Sequence, residues 1–270
     1  MMVAFWRSLA DGGATTVPGF SDPAARKLLD GPIWTRMLAR AEASAKKSAG
    51  DRTKGFVPWI DSLVMRVAFI DALLREAQPR QVVILGAGLD TRAWRLEALR
   101  GARVFEVDHP ATQAYKRERA PRLGVPMAEV RYVAIDFVRD ELEAKLRASG
   151  YEVDVPTVWV WEGVIMYLDD DALRKTLGAI HRLSAPGSRL LAHYHEPEPT
   201  RRGGHLRKLV FSALGEPQIG LRSAQTMASE LTRAGFTIVE DAGLDEQAAR
   251  VGAVPPSNAP LRVSRIAVAS

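Results

Sequence analysis

Gln81-Val82-Val83-Ile84-Leu85-Gly86-Ala87-Gly88-Leu89-Asp90 is the stretch on which the fold turns. Val82 to Leu85 form a continuous apolar run, and a glycine turn closes it. Such runs suit a parallel strand, because crossover helices cover both faces of a parallel sheet. Glycines at that turn let the backbone bend tightly and let a ligand approach it, beside the amino end of the next helix. Alone, the loop is compatible with any nucleotide-type cofactor.

Downstream the pattern repeats. Arg103–Asp108, Val130–Asp136, Pro156–Glu162 and Ser188–Tyr194 read as further strands, with helices at 91–99, 110–120, 138–149 and 169–184. Regular β-α alternation implies right-handed crossovers and a doubly wound, mostly parallel sheet, an α/β fold. After a helix at 223–234, Gly235–Val239 and Leu261–Ala269 bring the strands to seven as an antiparallel, hairpin-like pair. Upstream, residues 1–20 read as irregular and 22–76 as helical, opening at Ser21-Asp22-Pro23, where proline is pre-set for a first turn. Ile60, Leu63, Val64, Val67, Ile70, Leu73 and Leu74 recur at helical spacing, and Pro79 ends that helix. Residues 195–222 hold clustered glycines and prolines, break the rhythm, and read as a lid over the carboxyl edge of the sheet. The chain thus divides as one domain: a helical cap (1–78), a cofactor-binding core (79–194), a lid and acceptor insertion (195–222) and the end of the sheet (223–270).

Composition narrows the function. A chain of 270 residues, 47% hydrophobic and 26% charged, can bury a core without staples. It has no cysteine, which excludes disulfides, thiolate catalysis and cysteine-ligated zinc, and fits a reducing, cytoplasmic setting. His109, His181, His193, His195 and His205 form no His-Glu-x-x-His motif, so no metal is expected. The net charge is +5, but the basic residues are spread along the chain among acids, which argues against a nucleic-acid partner. No apolar run approaches the ~20 residues of a bilayer span. Met1–Arg7 is too short for a signal-peptide core.

Strand ends carry the next signals, at the edge where doubly wound sheets bind ligands. Gly86-Ala87-Gly88 is the first; a dinucleotide fingerprint would need a glycine at 91, which is Thr91. Asp108 closes the second strand, twenty residues past Gly88, where a carboxylate can accept from both ribose hydroxyls. Glu106 alternates onto the same side and competes for that role. Asp136 ends the third strand, where it or its backbone can receive an adenine amino group while Phe137 covers the ring. Glu162, beside Gly163, ends the fourth, where the reacting end of the cofactor would lie. His109, next to Asp108, joins this set. A single such acid is more simply a helix cap, a role Asp136 and Asp169 suit by type. Four signals in order favour a cofactor.

Val83 to Leu96 resembles the glycine motif of the leucine carboxyl methyltransferase family, most specifically in Leu89-Asp90-Thr91-Arg92. Phe105–Pro110, Ala134–Phe137 and Trp161–Leu168 agree, so the likeness spans about residues 60–195. Ser21-Asp22-Pro23 and Gly215-Glu216-Pro217 resemble weaker family features. The family includes protein phosphatase carboxyl methyltransferases and bacterial O-methyltransferases, some acting on polyketides. The resemblance implies S-adenosyl-L-methionine as cofactor, with contacts at Gly86, Asp108, Asp136, Phe137 and Glu162. It also implies that Arg66, on the preceding helix, holds the cofactor carboxylate.

Methyl transfer from a sulfonium is an in-line displacement for which the protein mainly supplies position and a dry site. A carboxylate acceptor needs no base; a hydroxyl acceptor benefits from one, and His193, His195 and Tyr167 are the candidates. Each histidine is more simply a hydrogen-bonded structural residue. Arg207 and Lys208 could attract an anionic acceptor, or simply face solvent. The expected partner is a small-molecule methyl acceptor, with neither nucleic acid nor membrane; oligomeric state stays open, a homodimer included. Competing readings are a nicotinamide-dependent oxidoreductase, a non-catalytic cofactor-binding protein and a nucleic-acid methyltransferase. The last lacks an Asn-Pro-Pro-Tyr-like motif after strand four, where Glu162-Gly163-Val164-Ile165 stands.

Overall fold

The computed structural model describes residues 1–47, 57–136, 140–197, 218–257 and 262–270. Within these, the central strands are β1 (Gln81–Leu85), β2 (Arg103–Asp108), β3 (Glu129–Ala134), β4 (Thr157–Trp161), β5 (Arg189–His195), β6 (Ile238–Ala242) and β7 (Ser264–Ala269). They form one seven-stranded sheet in the order β3-β2-β1-β4-β5-β7-β6. β1 to β5 run parallel; β7 runs antiparallel to both β5 and β6. All of β1 is buried, as its unbroken apolar run demands.

Alternation sorts the strand residues into two cores. Val83, Leu85, Phe105, Val107, Trp159, Trp161 and Tyr194 share one face. It is covered by α7 (Leu142–Ala148), α8 (Asp170–Leu183) and α9 (Ala224–Arg233), through Leu146, Leu177, Ile180 and Leu231. Val82, Ile84, Val104, Val158, Val160 and Leu191 face the other way. They meet Phe69, Ile70, Leu73 and Leu74 of α4 (Val57–Ala77). Gln78 leaves α4 with φ +42, where Pro79 prevents another turn.

The remaining helices are α1 (Met2–Leu9), α2 (Pro23–Leu28), α3 (Pro32–Lys47), α5 (Arg92–Arg95), α6 (Pro110–Arg119) and α10 (Leu244–Val251). α1 corrects the expectation of an irregular amino-terminal stretch. Phe5 and Leu9 bury against Ile60, Val64 and Met65 of α4 and Leu244 and Ala248 of α10. The chain after α1 does bend, with Gly13 at φ +88. α2 opens as its sequence suggests: the Asp22 carboxylate accepts the Ala25 N–H at 3.0 Å, with Pro23 at the first position. β6 and β7 are antiparallel neighbours, but α10 and not a hairpin turn joins them. Most of the expected 195–222 insertion, with Arg207, Lys208 and Gly215-Glu216-Pro217, lies outside the described residues, as does Phe137.

Candidate cofactor site

The glycine loop leaves β1 in a conformation that side chains resist. Gly86 and Gly88 have φ +66 and +50, and a Cβ on Gly86 would collide with Val164 Cγ2. The loop is fastened to β2: Gly86 and Ala87 N–H both donate to Val107 O, at 2.8 and 3.1 Å. The Asp108 carboxylate accepts the Gly88 N–H on one oxygen and the His109 N–H, at 2.6 Å, on the other. Asp108 therefore joins the loop to the end of β2 while staying only partly buried. His109 caps α6, its Nδ1 accepting the Ala111 N–H at 3.3 Å.

Glu106 does not share that position. It is 1% exposed and pairs with the equally buried Lys116. Burial pushes its carboxyl up to about 7, and Lys116 only partly offsets this. Asp136 lies partly buried beyond β3, with its N–H donating to Asp140 Oδ2 at 2.9 Å. It does not cap α7, which lacks a side-chain cap. Asp169 does cap α8, accepting the Ala172 N–H at 2.8 Å.

A cavity of about 150 Å³ opens over the loop, between Gly86–Asp90 on one wall and Ala4 and Arg7 of α1 on another. Arg66, Glu162 and Gly163 complete it. A larger, more open cavity of about 590 Å³ lies at the opposite edge of the sheet, around Arg75, Arg80, Arg100 and Arg103. It contains none of the strand-end residues, and ligands of doubly wound sheets bind at the carboxyl edge, so the smaller cavity is the candidate.

Beneath the cavity is a buried ionic network that the sequence motifs encode in pieces. Glu162 accepts from Arg66 Nε at 2.8 Å on Oε1 and from Arg92 Nη2 at 2.7 Å on Oε2. Arg92 also donates to Asp71 Oδ1 at 2.7 Å and to Asp90 Oδ2 at 2.5 Å. Arg95 takes the other oxygen of Asp71 at 2.5 Å and approaches Asp22. Arg7 binds Asp22 at 2.7 Å, Thr91 Oγ1 at 2.9 Å and Leu89 O at 2.5 Å. Four arginines thus meet four carboxylates, each side chain at most 11% exposed. Burial works against ionising Glu162, Asp71 and Asp90, but the arginines outweigh it and hold all three below the usual carboxylate range. Glu162 is therefore an anchor with both oxygens engaged. Asp90, Thr91 and Arg92 belong to this network, which explains why the Leu89–Arg92 extension is so distinctive. Asp71 and Arg66 sit among the apolar positions of α4, and charge on an apolar face is the signal that could have exposed them.

The three base candidates fare differently from one another. His193 is fully buried in β5; its Nδ1 accepts the Gly163 N–H at 3.1 Å, and its Nε2 lies 3.1 Å from Ser264 Oγ. Burial first, then Arg66 and His195, hold its pKa well below 6.5. Through these contacts His193 holds the loop after β4. His195, partly buried, stands edge-on to it with ring centroids 5.0 Å apart. Tyr167 ends the one-turn helix Ile165–Tyr167 and is partly buried. Arg222, which sequence reading missed, fastens that same loop. It is 4% exposed and donates to Leu168 O at 3.1 Å and Asp170 Oδ1 at 2.8 Å. Gly220 docks beside it, its N–H on Met166 O at 2.9 Å, where a Cβ would strike Leu168 O and Ile165 O.

A doubly wound sheet ending in a glycine loop and strand-end acids is a Rossmann-like fold of the kind methyltransferases use. Among solved structures, a "putative methyltransferase" from Thermobifida fusca YX superimposes with TM-score 0.60 at 18% identity, covering 99% of this chain and 93% of that one. The model of the leucine carboxyl methyltransferase family matches residues 1–181. The chain belongs to that family of S-adenosyl-L-methionine-dependent methyltransferases. A relative from Mycobacterium marinum, named "Putative S-adenosyl-L-methionine-dependent methyltransferase", is 41% identical over 73% of this chain and 65% of its own length. One of the same name from Mycobacteroides abscessus is 33% identical over 95% of this chain and 88% of its own. The chain spans about two thirds of the length of the first of these.

Proposed function

We propose that this chain transfers a methyl group from S-adenosyl-L-methionine to a carboxylate or hydroxyl oxygen of a small molecule, such as a polyketide-type metabolite, in the cytoplasm. The observation that carries the reading is the glycine loop braced by Asp108 and facing Arg66 across one cavity. The residues present fit the cofactor. Arg66 commits Nε to Glu162, and its guanidinium lines the cavity, suited to a carboxylate. Gly86 and Gly88 bring backbone, without side chains, to the ligand. Asp108 keeps lone pairs for the ribose hydroxyls, and Asp136 with its neighbouring backbone suits the adenine amino group. The bound cofactor supplies a methyl group already activated on a sulfonium. The protein's part is to orient the acceptor and exclude water.

Glu162 and His193 are both engaged, so a carboxylate acceptor, ionised at neutral pH, suits the site without further help. A hydroxyl acceptor would draw on Tyr167 or His195. The test is calorimetry with S-adenosylhomocysteine, followed by transfer to a panel of small carboxylic acids and phenols read by mass spectrometry. Alkaline hydrolysis releases methanol from an ester product and leaves an ether intact. We expect Asp108→Ala and Arg66→Met each to weaken cofactor binding about 10- to 100-fold, the loss of charge-assisted hydrogen bonds. Unchanged affinity in both would sink the site. A wild-type protein that binds the cofactor but methylates nothing would be a non-catalytic binder.

A further inference from the structure

We propose that His193 is a positioning residue whose neutral imidazole sets the loop after β4 and aims Arg66 at the cofactor cavity. The inference rests on the cofactor reading above but concerns a residue outside the cavity lining. Gly163 N–H donates to Nδ1 at 3.1 Å, so that nitrogen carries the lone pair. The neutral ring's proton is then on Nε2, where it donates to Ser264 Oγ at 3.1 Å. Arg66 Nη1 lies 3.5 Å from that same Nε2. Two N–H groups facing each other make no hydrogen bond. The guanidinium therefore finds its acceptor in Glu162, where it lines the cavity.

Gly163 needs such an anchor. It has φ +74 and stands between Glu162 and the one-turn helix carrying Tyr167. Its Cα lies close under Arg66, since a Cβ built there would be 4.0 Å from Nη2. One imidazole thus holds two neighbouring pieces of the cavity lining, the Gly163 backbone through Nδ1 and, by tautomer, the Arg66 cation beside it. Protonation would undo both. An Nδ1–H cannot accept from Gly163, and the new charge would face Arg66 from α4 and His195 on its own strand, with Ser264 from β7 opposite. Arg66 is itself balanced by Glu162.

Two isosteric variants separate this role from packing. Asparagine can place an acceptor near Nδ1, whereas glutamine reaches toward Nε2 and leaves Gly163 without a partner. Titrating S-adenosylhomocysteine into the full chain, we expect His193→Leu and His193→Gln to lose about 10-fold in affinity, the scale of one lost hydrogen bond to a site-forming amide. His193→Asn should recover most of that loss. In the wild type, affinity should also fall well below pH 6.5, where the folded protein finally protonates the ring, a fall that His193→Asn lacks. If His193→Leu does not fold, the asparagine–glutamine pair and the wild-type pH profile still decide. Equal affinity for glutamine and asparagine variants, or an acid fall that persists in His193→Asn, overturns the proposal while leaving the cofactor site standing. A wild-type protein that does not bind S-adenosylhomocysteine at all overturns the cofactor reading, and the role of His193 with it.

Discussion

Arg92 donates to three carboxylates at once, through Nε to Asp71, Nη1 to Asp90 and Nη2 to Glu162. Only a planar fork of donors can do this; an ammonium is a point charge that reaches one or two. Truncation would leave three buried acids with one cation fewer, and breaking a buried pair typically costs 3–5 kcal/mol. Arg92→Met should therefore lower the unfolding temperature by about 6–20 °C, at about 2–4 °C per kcal/mol for a chain of this size, and Arg92→Lys should recover little of it. Calorimetric melting checks this, and a lysine variant melting with the wild type would show that charge, without geometry, suffices. Gly86 makes a smaller, sharper case. Its φ of +66 and the collision with Val164 make Gly86→Ala costly on both counts. We expect a loss of about 1–3 kcal/mol in stability, together with weaker cofactor binding as the loop shifts off Val107 O. An alanine variant with native affinity and melting would show that the loop tolerates a side chain.

At the scale of elements, β1 to β5 were readable from residues 81–195 because each strand is a short apolar run with its turn signal at hand. So were the glycine loop and Asp108, whose contacts lie within one β-α-β unit. The ionic network was not, since Arg66 meets Glu162 96 residues away and Arg7 meets Thr91 84 residues away. Asp90, Arg92, Glu162 and Asp22 show as motifs, but Arg7, Arg66 and Asp71 show only as charges on apolar helices, and nothing local joins the two sets. α1 was hidden by the glycines and threonines that follow it, although Phe5 and Leu9 sit at helical spacing. α10 was passed over for a hairpin, although Leu244, Ala248 and Val251 recur on one face. Arg7 gives α1 a specific prediction. Its bonds to Leu89 O, Thr91 and Asp22 tie the helix to the glycine loop, beyond the general apolar contact of Phe5 and Leu9. Arg7→Met should speed amide hydrogen exchange across residues 4–9 at least 10-fold while β1 and β4 keep their protection. Unchanged exchange in α1 would mean that its apolar face alone holds it.

Across the whole molecule, buried ionisable groups set how stability depends on pH, and they pull in opposite directions. Glu106 is pushed from its ordinary 4.5 to about 7 by burial. The native state therefore takes up a proton that the unfolded chain does not, and stability contributed by Glu106 is full below 4.5 and lost as pH rises through 7. That difference is worth on the order of 3 kcal/mol. His193 acts the other way: its pKa lies well below 6.5, so the unfolded chain binds the proton first and acid removes stability from about pH 6.5 downward. Asp71, Asp90 and Glu162, all held low by their arginines, add to the acid loss only below about pH 4.5. Between pH 6.5 and 4.5 the contributions of Glu106 and His193 offset each other, and the wild-type curve should be nearly flat before falling steeply. Glu106→Gln removes one side of that balance. Its stability should decline from pH 6.5 to 4.5, whatever constant loss comes from leaving Lys116 without its carboxylate. Urea unfolding at pH 8, 6.5, 5.5 and 4.5 on both proteins reads the difference directly. Parallel curves would mean that Glu106 is ionised throughout and that Lys116 fully compensates its burial.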